Sequence, residues 1–179
     1  MSPVMRGPEP TNSSTPLLPS DLVAKDFGTI DSERNLLEVE LTRGMMPLAR
    51  NWRHALDHQL MGLGLSSATG WALLLIDELG DEVRQTDLAG ALDINSASLV
   101  RVVDMLVAVG YVDRRFDAID RRVRRVRLLA KGREATRKVA AAVAALRKET
   151  LANLDDADLA IAVRVARGIG RSLEEGRRP

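Results

Sequence analysis

The sequence predicts a mainly α protein that carries one small β-hairpin. Three observations point there. Apolar residues recur at helical spacing through most of the chain, and aromatic residues, which favour strands, make up only 3% of it. RQTDLAGALDI at 84–94 and NSASLVRVVDMLVAVG at 95–110 read as two short helices joined by a tight turn. The only strand-like runs, YVDRRF and RRVRRVRLL, follow directly with DAID between them.

The elements can be justified in order. Residues 1–30 hold five of the seven prolines and a TNSSTP run, so a disordered or loosely ordered tail is expected there. Residues 31–179 are expected to form a single domain. SERNLLEVELTR suits a short helix capped by Asp31 or Ser32. Pro47 should interrupt it, because proline suits a first helical turn and harms an interior. A new helix is therefore expected from near Met46 to about Met61, with Leu48, Trp52, Ala55 or Leu56, and Gln59 or Leu60 in register. Gly62 and Gly64 break it. A central helix, apolar on most sides, should span about Ser67 to Leu79.

The two short helices come next. Asn95 or Ser96 can cap the second, and Gly110 stands where a C′ glycine belongs. This is a helix-turn-helix pattern, and the hairpin behind it reads as a wing. Alternation in the second strand puts Val126 and Leu128 on one face and Arg125 and Arg127 on the other. After the hairpin, Val139, Val143 and Leu146 make one stripe of an alanine-rich helix. A last helix begins near Asp155 and Asp158, where negative charge is favoured. Its Leu159, Ala162, Ala166, Ile169 and Leu173 are spaced 3, 4, 3, 4, as on a helix that packs against another.

Composition excludes several functions. Cysteine is absent, which removes disulfides, thiolate metal sites and cysteine nucleophiles. No apolar run reaches the ~18 residues of a membrane span. MSPVMRGPEP has no apolar region of a signal peptide, so a cytoplasmic protein is expected. No glycine-rich phosphate loop, nucleophile elbow or pocket motif with paired carboxylates is visible, so no enzyme and no cofactor is expected. His54 and His58 have metal-ligand spacing on one helix, but no third strong ligand lies near, so no metal site is expected.

Charge is distributed unevenly. The net charge is +1, yet five of the seven residues from Arg121 to Arg127 are arginine. From Tyr111 to Lys138 the local balance is +7. That suggests a basic face on a neutral protein. In the helix after Asn95, Leu99, Val103 and Leu106 share the inward face, which leaves Ala97, Ser98 and Arg101 on the other side near the N-terminus. Such an end can meet base edges in a major groove, where an arginine fork bonds guanine O6 and N7 together. The hairpin tip, Asp120, Arg121 and Arg122, would extend past the helices, and an arginine there can enter a narrow minor groove. Arg114, Arg115, Arg124, Arg125 and Arg127 are candidates for phosphates, though some must face the wrong way. The plainer alternative is a solvated edge hairpin whose charge prevents strand pairing.

These residues together resemble the MarR family of winged-helix transcriptional regulators, and within it the SlyA-type branch. The resemblance runs from about Leu48 to Leu173 and rests on four stretches: WRHALDH at 52–58, QTDLAGALDI at 85–94, SLVRVVDMLVAVGYVDRR at 98–115 and DRRVRRVRLLAKG at 120–132. It implies a homodimer whose helices at 31–64 and 130–179 form the interface, with a winged-helix lobe at 65–129 facing double-stranded DNA. It implies major-groove contacts by Ser98 and Arg101, flanked by Ser96 and Ala97. It implies a minor-groove contact by Arg121 or Arg122 and a wing positioned by Asp120, beside which Arg115 and Arg124 are kept as DNA-binding candidates from the residue reading above. It further implies a small aromatic carboxylate effector near Arg50 and Trp71, an arginine and a ring that suit such a ligand. A core role for Trp71 and a surface ion pair for Arg50 is the alternative. Two residues depart from the pattern: Leu129 stands where threonine usually caps the next helix, and Ala97 where proline is frequent.

The competing function class is a helical protein–protein adaptor whose basic hairpin holds another acidic partner. Target genes, operator sequence, repression or activation, the effector and the role of the first ~45 residues are not written in the sequence.

Overall fold

The computed structural model describes residues 33–80 and 82–176. The expected tail at 1–30 and the expected caps Asp31 and Ser32 lie outside them. The chain divides into two compact units, 1–52 and 53–179. Among the described residues there are six α-helices and a three-stranded antiparallel sheet.

Helix α1 (Glu33–Leu60) is continuous, with Pro47 in its interior. The sequence reading split it at that proline. Proline removes one i→i−4 hydrogen bond, at a cost of about 3 kcal/mol. The unbroken turns on both sides of Pro47 outweigh that loss here. Within residues 33–52, Arg34 pairs with Glu38 at 2.8 Å, and the Thr42 hydroxyl donates to the Glu38 carbonyl at 2.8 Å. Leu37, Leu41 and Leu48 share one side of the helix and are all exposed.

The second unit holds the core. Leu56 and Leu60 from the end of α1 are fully buried there. A short 3₁₀ turn at Met61–Leu63 leads to α2 (Ser67–Leu79). Ser66 and Thr69 form a reciprocal capping box at its start. The Asp57 carboxylate also accepts from the Ser67 backbone N–H, which ties α1 to the first turn of α2. A carboxylate there satisfies an orphan donor and meets the positive end of the helix. Helix α5 (Ala130–Thr150) packs on α2 and buries Val139, Val143 and Leu146 as its stripe predicts.

Between them sit α3 (Gln85–Ala91) and α4 (Ser96–Ala108). Asn95 caps α4 by accepting from the Ser98 N–H at 2.8 Å, and Gly110 follows it with φ +72°. Leu99, Val103 and Leu106 are buried against the helices behind. Strands β2 (Val112–Phe116) and β3 (Arg124–Leu128) form the hairpin. The sheet order is β1-β3-β2, with Val112 opposite Leu128 and Arg115 opposite Arg125.

Two details differ from the sequence reading. A further strand, β1 (Val83–Arg84), pairs with Val126 and Arg125. At two residues it is too short to show alternation, and it exists because β3 offers it a free edge. The second hairpin strand was expected to start at Arg121, yet it starts at Arg124. Residues 117–123 form the turn instead, held by the Asp117 carboxylate.

Helix α6 (Asp156–Glu175) is capped by Asp155, which accepts from the Asp158 N–H at 2.8 Å. None of its residues is buried. Leu129 stands as the N-cap of α5 and supplies no side-chain hydrogen bond. Leu129→Thr should therefore raise stability by about 1 kcal/mol. A thermal or denaturant midpoint at or below that of the wild type would show that the leucine's packing matters more than a cap.

Candidate nucleic-acid interface

Two elements present polar side chains outward, side by side. The first is the N-terminal half of α4. Its buried face fixes the roll of the helix, so Ser96, Ala97 and Arg101 are exposed and Ser98 is half-buried. Small residues at 96–98 let a surface approach the backbone closely. No ion pair or hydrogen bond engages the Arg101 guanidinium among the described residues.

The second element is the wing. Its strands alternate as expected, with Val126 and Leu128 inward. The arginines of its two strands are not free, however. Arg114 pairs with Asp104 of α4 at 2.7 Å, which fastens the hairpin to that helix. Asp113 takes Arg115 at 2.6 Å and Arg127 at 3.3 Å. The Arg115 hydrogen bond, with the charges of both arginines, holds the Asp113 carboxyl below its ordinary value. Arg125 donates to Asp117 and to the Glu82 carbonyl. Arg124 lies 4.8 Å from the centre of the Phe116 ring. The sequence reading treated these five as candidates for phosphates. Three of them, Arg115, Arg125 and Arg127, spend their charge on aspartates inside the wing, and Arg114 spends its charge on Asp104 of α4.

The tip is built on Asp117. Its Oδ1 accepts from the backbone N–H of Ile119 at 2.8 Å and of Asp120 at 3.1 Å, while Oδ2 takes the Arg125 guanidinium. The Arg125 bond and then the two backbone N–H groups hold its carboxyl well below the ordinary range. Asp120 accepts from the Arg122 backbone at 2.9 Å and from its guanidinium at 3.3 Å. Arg121 is exposed and makes no ion pair among the described residues. Sequence reasoning named Asp120 but missed Asp117. A carboxylate at the first position of a turn, with N–H groups two and three residues on, was the available signal.

The two residues named for an effector are placed differently. Trp71 is 36% exposed, so it is not a core residue. It lines an open cavity of about 440 Å³ with Arg53, Ala68, Leu75, Leu92 and Ile94. The arginine of that cavity is Arg53, which the sequence reading did not single out; Arg50 is exposed on α1. His54 and His58 are both exposed, and the described residues contain no group of three ligating side chains. No single helix among the described residues is long and apolar enough to cross a membrane.

The MarR family model matches residues 63–123. The crystal structure of transcriptional regulator PA3341 is 30% identical and superposes with a TM-score of 0.68, over 75% of this chain and 98% of that one. Two similar folds come from structures with DNA. MarR from E. coli, a mutant complexed with operator DNA, is 22% identical with a TM-score of 0.68, over 77% of this chain and 99% of that one. The M. tuberculosis transcriptional regulator MOSR in complex with DNA is 24% identical with a TM-score of 0.64, over 76% of this chain and 98% of that one.

Proposed function

This chain belongs to the MarR family of transcriptional regulators, and from that membership we propose that it acts as a homodimer on a roughly palindromic DNA operator. The observation that carries the proposal is the pattern of arginine pairing. Of the arginines in α4 and the wing, Arg101 and Arg121 are left without an internal partner among the described residues, one on each projecting element. Arg101, with Ser96, Ala97 and Ser98, would read base edges in a major groove. Arg121 and Arg122 would enter the adjacent minor groove, with Asp120 fixing the second. Arg124 would flank them towards the phosphates, and so would Arg115, which is paired with Asp113 but still mostly exposed.

Dimerisation by residues 31–64 and 130–179 is supported by what the single chain leaves uncovered. Leu37, Leu41 and Leu48 of α1 are exposed, and α6 buries nothing despite its apolar spacing. Two-fold symmetry would place half-sites about one helical turn apart, ~10 bp. Such a protein acts in the cytoplasm. A SlyA-like protein released by an aromatic carboxylate is the finer form of this reading. Trp71 and Arg53 offer the ring and the cation for that ligand, and Arg50 keeps its place as the residue drawn from the resemblance.

The test is fluorescence anisotropy on duplexes selected from a random pool, beside unselected duplex, over a range of salt. Arg101→Ala should cost about 1–3 kcal/mol on the selected site and relax one base position. Equal losses on both duplexes would contradict base reading by Arg101. No binding to any duplex would favour an adaptor with another acidic partner.

A further inference from the structure

The turn of the wing carries one side chain that the fold does not use. Ile119 is 97% exposed, the highest value of any large apolar residue among the described residues. The wing's other exposed large apolar residue, Phe116, has the Arg124 guanidinium over its ring. Ile119 has no such cover. Its backbone is nonetheless held in place. The Ile119 N–H donates to Asp117 Oδ1 at 2.8 Å, and the Asp120 N–H donates to the same oxygen at 3.1 Å. Two residues on, Arg121 is exposed and makes no ion pair among the described residues. A β-branched aliphatic side chain therefore stands in solvent on a clasped turn, close in sequence to an unpaired cation. At this exposure the folded chain gains nothing from its burial.

We propose that Ile119 is an apolar wedge, pressed from the minor groove into one base step per half-site, which makes the protein select steps that unstack easily. The proposal rests on the DNA-binding reading above and adds a contact of a different kind from those of the arginines. An arginine in the minor groove answers to its negative potential. An isoleucine has no donor, acceptor or charge, so it meets only the sugar walls and the base stack. Side chains of this class part neighbouring base pairs and kink the duplex towards the major groove. The cost depends on the step and is lowest at the pyrimidine–purine steps TA and CA/TG. Taking Ile119 out of water offsets that cost at such a step and not at a stiffer one. The clasp by Asp117 matters here, because a loose turn would yield rather than press. A protein partner suits the site less well. The core of a protein interface is depleted in charge, whereas Asp120, Arg121 and Arg122 follow Ile119 directly.

Wild type, Ile119→Ala and Ile119→Leu would be compared on a wild-type-selected duplex carrying 2-aminopurine in place of each adenine in turn, on either strand. This base brightens when it is unstacked. Wild type and Ile119→Leu should brighten it at one step per half-site, and Ile119→Ala should not. Changing that step to purine–pyrimidine should weaken wild type roughly tenfold and leave the affinity of Ile119→Ala nearly the same. The melting temperature of the free protein should be equal in all three, because a side chain this exposed supports no packing. Binding by wild type without brightening at any adenine overturns the wedge alone. So does brightening that persists in Ile119→Ala, or an equal penalty for the changed step in both proteins. A wild type that binds no duplex overturns the DNA reading and the wedge together.

Discussion

Gly132→Ala is expected to destabilise the winged-helix unit by about 3 kcal/mol or more. Gly132 lies in the first turn of α5, pressed against the chain that leaves α4. A Cβ at Gly132 would stand 1.9 Å from the Tyr111 carbonyl oxygen and 2.9 Å from its carbon. Those atoms are backbone and cannot swing away as a side chain can. The same carbonyl accepts from the Leu129 N–H at 2.9 Å. Relieving the clash would pull α5 away from Tyr111, break that bond and disturb the Val112–Leu128 pair at the open end of the hairpin. Urea unfolding would measure the loss. Gly62→Ala is the control, since nothing lies within 4 Å of its added Cβ. A Gly132→Ala midpoint within error of wild type would show that the close approach is not maintained in solution.

The second large effect is expected at Asp117. Asp117→Ala removes the acceptor for two backbone N–H groups and the partner of Arg125 in one step. The turn at 117–123 should lose its shape while the helices stay folded. On the proposed function, DNA affinity should fall roughly tenfold to a hundredfold, with helical circular dichroism unchanged. Asp117→Asn keeps an acceptor for the backbone but loses the charge, so it should fall between. The pH dependence follows from the depressed pKa. A carboxylate held below its ordinary value contributes stability that is present above the unfolded-state pKa. That stability is lost as pH falls through the lower folded-state value. The wing should therefore keep its order through the mildly acid range where free aspartates protonate. Loss of wing amide protection at a pH above the ordinary carboxylate pKa, or full DNA affinity in Asp117→Ala, would count against this role.

The parts of the fold legible in the sequence were those set by local pattern. The α4 helix announces itself through Asn95, Gly110 and the Leu99–Val103–Leu106 face, all within one stretch. The stripe of α5 and the spacing of α6 are equally local. Pro47 misled because the penalty for an interior proline is finite, and a long helix can carry it. Strand β1 was invisible because two residues become a strand only when β3 offers an edge. The candidate site was legible in outline and not in its electrostatics. Counting arginines gave a basic hairpin. Which of them are spoken for depends on register, as with Asp113 opposite Arg127, and on the approach of α4, as with Asp104 and Arg114.

The internal pairing of the wing has a consequence for how a duplex would be chosen. A hairpin whose strands and turn are already cross-tied brings a fixed shape to the encounter, and little ordering entropy remains to be lost on binding. Such a wing does not mould itself to the groove, so the groove must adapt to the wing. The energy of that adaptation depends on how stiff the duplex is, step by step. Base pairs that no side chain touches would then rank one site above another.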